Sequence, residues 1–395
     1  MNNSFNFLTI KQYDNYIINI TKKDYDKMQN CINLLKSKYN NEILNLYKIE
    51  KTNVNKFGFK NQKNFIIKHK SVLLNIISDV LKIYTEELDN LIIVFLSGSF
   101  ARGTNKMSSD VDLHFFYNND NYNYIYEEIV CYIISRVINK SRDSIDPTFI
   151  FNVESENKSM ITTKMNDTKL NIILKYKHKE IRYSYKFGKK RRFYLQYTNT
   201  RDINKLFEYL NKEMFKHNDE WCHCFEIIKG KEIFNELYNK MYQKEIDLIN
   251  TDYINNKIKI LKEKIKILKL ETSMSSISQY KNYYQSKIFK YIYEYISIIR
   301  FILIKENVEI KFLNLLEMYD LVQKNKNIDK CIFIEIYRYM WNLEKLTVYC
   351  YENNINYGLH NNDLIIYSTK ELDRSLEILK KVILNDLERL GGLYG

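Results

Sequence analysis

A glycine and a serine at positions 98 and 99, followed after ten residues by Asp110-Val111-Asp112, form the stretch of this sequence best equipped for chemistry. Leu91 to Leu96 (LIIVFL) is a short continuous apolar run rich in β-branched residues, which predicts a buried strand ending at the Gly-Ser pair. Gly98 has no Cβ, so backbone there can approach a phosphate closely. Ser99 and the neighbouring N–H groups can then cradle phosphate oxygens. The run Asp110 to Tyr117 (DVDLHFFY) reads as a second strand, in which Asp110 and Asp112 share one face and Val111 takes the other. Two carboxylates on one face repel unless a divalent cation lies between them, and hard oxygen ligands beside phosphate oxygens suit Mg²⁺. His114 shares that face and is read either as a group touching substrate or as a hydrogen-bonded structural histidine. Arg102, just past the turn, is read either as a phosphate contact or as a solvated loop residue.

Other elements must hold these residues in place. Residues 22 to 50 and 63 to 89 carry helical periodicity, with Val72, Ile76, Ile77, Val80, Leu81 and Tyr84 building one apolar stripe. A polar stretch around Lys56 to Asn64 separates them. Ile125 to Val137 reads as a helix, and TFIFNV, KLNIILKY, EIRYSYKF and RRFYLQY, between residues 145 and 199, read as strands. From about residue 202 the pattern is helical almost to the end. Ile254, Ile258, Leu261, Ile265 and Leu268 form an amphipathic stripe with Lys257, Lys262, Lys264 and Lys266 among the intervening positions, best read as a solvated basic face. The cluster Lys186, Lys189, Lys190, Arg191 and Arg192, interleaved with aromatics, is read as a charged hairpin turn or as a nucleotide or nucleic-acid surface.

Composition narrows the classes. With 395 residues, 45% hydrophobic and 14% aromatic, the chain can bury a large core and is not wholly disordered. Nine glycines and one proline argue against a turn-dense sandwich, barrel or propeller. The excess of 61 Lys and Arg over 48 Asp and Glu, +13 in all, admits an anionic partner but also follows from a chain crowded with Asn, Lys, Ile and Tyr. The six scattered cysteines form no disulfide framework, the opening residues show no secretory pattern, and no apolar run is long enough for a membrane span. A reduced, cytoplasmic protein without membrane partners is expected.

The segment Leu96 to Tyr117, LSGSFARGTNKMSSDVDLHFFY, resembles the signature of the polymerase-β-like nucleotidyltransferase superfamily. The match lies in the hydrophobic run before the glycine, the Gly-Ser, the Ala-Arg-Gly-Thr that follows, and the Ser-Asp-Val-Asp-Leu end. The resemblance implies an α+β fold: a catalytic domain with a mixed sheet over residues 63–200, after a helical N-terminal segment (1–62) and before a helical C-terminal domain (201–395). It implies transfer of a nucleoside monophosphate from an NTP to a hydroxyl, with Mg²⁺ or Mn²⁺ as cofactor and pyrophosphate released. Asp110 and Asp112 are then the metal ligands, and Gly98, Ser99 and Arg102 contact the nucleotide. The family usually adds a third acid from a neighbouring strand. Asp146 fits the helix-then-strand order, although Pro147 beside it is unusual inside a strand; Glu154 and Glu180 are the alternatives, the latter suiting the longer topology of cyclic-dinucleotide synthases. Glu226 to Leu237 resembles the segment by which such enzymes pass into a helical domain. The acceptor stays open among RNA or tRNA, a small molecule, a protein and a second nucleotide. A catalytically incomplete RNA- or nucleotide-binding protein is the other class of reading.

Overall fold

A computed structural model of the chain describes residues 22–55, 57–89, 91–117, 124–140, 145–151, 162–166, 169–176, 179–186, 224–268, 288–308, 310, 313–322, 328–352 and 363–394. It opens with two long helices, α1 (Lys22–Asn55) and α2 (Phe59–Ile83), packed against each other. In α1 the buried set is Met28, Cys31, Ile32, Leu35, Tyr39, Ile43 and Leu46, which recurs at helical spacing. The polar stretch expected to separate the helices is shorter than its composition suggests. Gly58 caps α2 in an extended conformation, and Asn61 to Asn64 are already helical, with Gln62 buried. The boundary drawn at 62/63 therefore falls inside α2.

The stripe on α2 is buried in the same core as a mixed four-stranded sheet of order β3-β2-β1-β7. Its members are β1 (Leu91–Leu96), β2 (Val111–Tyr117), β3 (Ile145–Phe151) and β7 (Glu226–Lys229). A short helix, α3 (Gly98–Arg102), lies between β1 and β2, and α4 (Tyr124–Val137) crosses from β2 to β3. β1 is antiparallel to both β2 and β7, while β2 and β3 run parallel. A crossover helix is what a parallel neighbour requires. Ile76, Ile77 and Val80 of α2 and Ile93, Val94 and Phe95 of β1 are fully buried. Each such side chain contributes about 1.5–3 kcal/mol. Pro147 sits in β3, an edge strand, where a missing N–H is tolerated. A second sheet, antiparallel, orders β4 (Thr162–Asn166), β5 (Lys169–Tyr176) and β6 (Lys179–Lys186) consecutively. RRFYLQY lies outside the described residues, as do Lys189 to Arg192.

Where an all-helical pattern is expected beyond residue 202, the structure inserts a strand. β7 is too short and too evenly half-buried to show a period. It pairs with β1, and Gly230 directly after it has φ +73°; a Cβ there would lie 2.3 Å from the Ile92 carbonyl oxygen. Only glycine fits both the backbone angle and the approach. The chain then enters α5 (Lys231–Leu248), whose Phe234 packs on Phe95. So this segment does carry the chain from the sheet into the helices.

The rest is helical: α6 (Thr251–Lys266), α7 (Phe289–Lys305), α8 (Leu315–Val322), α9 (Cys331–Glu352) and α10 (Asp363–Tyr394). α7 is buried all round from Ile292 to Ile304. Two charges inside it are matched: Lys264 reaches both oxygens of Glu294 at 2.8 Å, and Arg300 donates to the Ile310 carbonyl and the Tyr238 hydroxyl, both at 2.9 Å. The stripe Ile254, Ile258, Leu261 and Ile265 of α6 is buried as its spacing predicts. Lys264 and Lys262 (to Glu388, 3.7 Å) are engaged within the chain, which accords with a structural basic face. Among the described residues, no helix is long and apolar enough to cross a membrane.

Candidate active site

The site forms where β1 and β2 meet the turn into α3. Ser97 caps α3, and its backbone N–H donates to the Asp112 carbonyl at 3.0 Å, continuing the β1–β2 ladder by one residue. Gly98 follows at φ +66°, and the Asp112 carboxylate lies directly over its Cα. A Cβ at Gly98 would stand 1.7 Å from Asp112 Oδ2 and 2.6 Å from its Cγ. The glycine is thus required twice, by its backbone angle and by the carboxylate beside it. Ser99 opens the helix, and its carbonyl accepts from the Thr104 N–H at 2.9 Å. Gly103, at φ +73°, ends the helix in the left-handed conformation.

Asp112 is half-buried and Asp110 exposed, two residues apart at the start of β2. β2 and β3 pair in parallel with Asp112 directly opposite Asp146. Directly opposed positions on adjacent strands belong to one face of a sheet. Of the three candidates for the third acid, Asp146 is therefore the one the backbone register brings beside Asp112. Glu180 lies in β6, in the second sheet, opposite Lys175. Glu154 lies outside the described residues. Among the described side chains, no group of three or more His, Cys, Asp and Glu converges as a ready metal cluster.

His114 resolves to the structural alternative. Its ring stacks on Phe95 with centroids 4.4 Å apart, and its Nε2 lies 2.7 Å from Ser97 Oγ. Burial pulls its pKa down to about 3, so the ring is neutral near pH 7 and braces the residue that caps α3. Arg102 is half-buried, with its guanidinium 4.6 Å from the centre of the Tyr293 ring on α7. It therefore ties the end of α3 to the helical region.

Several residues around the site carried no motif. The segment Thr104 to Ser109 has little regular structure and is held from three helices. Asn105 Nδ2 lies 3.1 Å from His69 Nδ1 on α2, Met107 N–H donates to Glu50 Oε1 on α1 at 2.8 Å, and Lys106 reaches Glu344 on α9 at 2.8 Å. Lys140, buried after α4, donates to the Ser109 carbonyl. Burial pulls its pKa down to about 8, against the opposing pull of Asp110, Glu50 and Glu344. Burial and the Glu344 charge push Glu50 up to about 7, while burial draws His69 down to about 3. These partners lie tens to hundreds of residues from the segment they hold, so no local spacing points to them. Cys224 is buried and donates to the Leu313 carbonyl, as a structural thiol does.

These shifts fix a pH trend. Between pH 4.5 and 6.5, the ordinary values of Glu and His, the unfolded chain holds two protons more on His69 and His114 and one fewer on Glu50. The net excess of protons in the unfolded state means that stability rises with pH and is lost on acidification. Thermal midpoints at pH 6.5 and pH 5 check this. A midpoint that holds or rises at pH 5 contradicts the burial of the two neutral rings.

Residues 77–192 match a family model described as a nucleotidyltransferase domain. The matched span starts in α2 and takes in β1, the Gly98-Ser99 turn, Asp110, Asp112, β3 with Asp146, and the second sheet. No curated protein matches the chain. The chain carries a nucleotidyltransferase domain, consistent with membership of the polymerase-β-like nucleotidyltransferase superfamily.

Proposed function

We propose that this protein is a Mg²⁺-dependent nucleotidyltransferase that moves a nucleoside monophosphate from an NTP to an acceptor hydroxyl and releases pyrophosphate. The observation that carries this reading is the seating of the Asp112 carboxylate on Gly98, with Asp110 two residues before it and Asp146 across the ladder. The donor chemistry fits a hard divalent cation, since the candidates are carboxylates at the end of a strand. Asp110, Asp112 and Asp146 would hold it. When bound, it neutralises triphosphate charge and activates the acceptor hydroxyl.

The chain's own residues do the positioning. Gly98 and Ser99 present backbone to the terminal phosphates at a point with no Cβ in the way. The Asp112 main chain is held beside the turn, because its carbonyl accepts from the Ser97 N–H. Arg102, braced on Tyr293, stands at the far end of the same turn and places a cation near the phosphates. Catalysis on this reading is placement plus charge neutralisation at the α-phosphorus.

Incubation of the purified protein with each α-labelled NTP, Mg²⁺ and fractionated cell extract tests it. Label should enter one fraction, and whether that fraction is RNA, protein or small molecule identifies the acceptor. Transfer by an Asp110→Ala/Asp112→Ala variant equal to wild type would refute the assignment. Salt-sensitive RNA binding without transfer would favour a binding protein that keeps the fold.

A further inference from the structure

The segment between Gly103 and Asp110 leads from the Gly-Ser turn to the first aspartate, yet it contains no strand or helix. A turn closed between Lys106 and Ser109 and bonds to distant elements give it its shape. The Tyr337 hydroxyl on α9 donates to the Gly103 carbonyl at 2.6 Å. One turn pair farther along α9, Glu344 is 5% exposed and spends both oxygens on the segment. Its Oε2 accepts from the Lys106 ammonium at 2.8 Å and its Oε1 from the Ser108 hydroxyl at 2.9 Å. Between those two residues the Met107 N–H is held by Glu50. A cavity of about 40 Å³ lies beside them, lined by Asn105, Lys106 and Glu344 together with Phe65, Met340 and Trp341. That is room for roughly two or three waters beside the segment.

We infer that Glu344 is a positioning residue through which α9 sets the placement of Asp110 relative to Asp112, so that the helical C-terminal region governs the geometry of the nucleotide site. The inference rests on the nucleotidyl transfer proposed above. A single carboxylate gripping residues 106 and 108 fixes as one unit the turn that leads through Ser109 into Asp110. A shift of α9 on binding an acceptor would be passed directly to the carboxylates.

The test uses the full chain, with wild type, Lys106→Met/Glu344→Gln and Ser108→Ala measured in parallel. The double substitution removes both members of the ion pair, so no uncompensated buried charge is left to unfold the protein. Ser108→Ala removes one bond from an exposed residue and serves if the double variant does not fold. The double variant is expected to lower kcat by about 10–100-fold, the scale of lost support around a metal site, and to raise the Mg²⁺ concentration needed for half-maximal rate. KM for the NTP is expected to move by less than about 3-fold, because the Gly98-Ser99 turn is untouched. Ser108→Ala should show the same split at smaller size. Folded variants with wild-type kcat and Mg²⁺ dependence would overturn the inference alone. Absence of transfer by the wild type overturns the reading of the site, and this inference with it.

Discussion

Asp112→Asn is expected to lower the transfer rate by at least about 10³-fold while the protein stays folded. The substitution keeps size and shape and removes one negative charge at the atom nearest the Gly-Ser turn. A cation that stabilises the transition state by several kcal/mol loses much of that effect when a carboxylate ligand becomes a neutral amide, and each 1.4 kcal/mol is tenfold in rate. The fold does not depend on that charge. Asp112 joins the sheet through its main chain, whose carbonyl accepts from Ser97 whatever the side chain, and Val111 and Leu113 on either side are fully buried. Thermal melting should therefore shift by no more than a few degrees. Turnover per folded molecule, read with the acceptor fraction that takes label from the wild type, checks the prediction. A variant within about tenfold of wild type would show that Asp112 is not a ligand of the reacting complex.

Gly98→Ala is expected to lower the rate by about 10²-fold and, unlike Asp112→Asn, to cost stability. The methyl group would lie 1.7 Å from Asp112 Oδ2, so the carboxylate must move by more than an ångström or the turn must open. Displacements of that size at a reacting centre cost on the order of 10² in rate. The backbone adds its own cost, since φ +66° is left-handed and disfavours a side chain by about 1–2 kcal/mol. Denaturant unfolding should report that loss, and kinetics of the surviving folded protein the other. If Gly98→Ala melts like the wild type and transfers at its rate, the close seating of Asp112 on the turn is wrong.

The parts of this site legible in the sequence are those set by local pattern. LIIVFL and DVDLHFFY announce two buried strands, and the Gly-Ser and Asp-x-Asp between them point to a phosphate and a cation. The α6 stripe is equally local, each apolar position falling on the buried face. Sheet order is different, because spacing along a chain does not say which strand lies beside which. Asp146, Glu154 and Glu180 all open or close strand-like runs; the parallel register places Asp146 opposite Asp112, whereas Glu180 belongs to another sheet. Glu50 and Glu344 stand 57 and 236 residues from their partners Met107 and Ser108, and as isolated glutamates on helices they look like any solvated acid. β7 escaped for another reason: four half-buried residues display no period, and only Gly230 after them hints at backbone crossing backbone. His114 shows the limit of face arguments, since sharing a strand side with the aspartates left its role undecided until Ser97 and Phe95 were seen around it.

On the proposed reading, Asp110, Asp112 and Asp146 together hold a divalent cation with a nucleoside triphosphate at the Gly98-Ser99 turn. Titration of Mn²⁺ into the full chain with and without a non-hydrolysable NTP, followed by electron paramagnetic resonance, tests it without requiring the acceptor. The wild type and a Glu180→Gln variant should bind Mn²⁺ at least about tenfold more tightly with the nucleotide than without, while Asp112→Asn and Asp146→Asn should lose that gain. Equal nucleotide-linked Mn²⁺ binding by the wild type and both aspartate variants, or its loss in Glu180→Gln alone, would contradict the account.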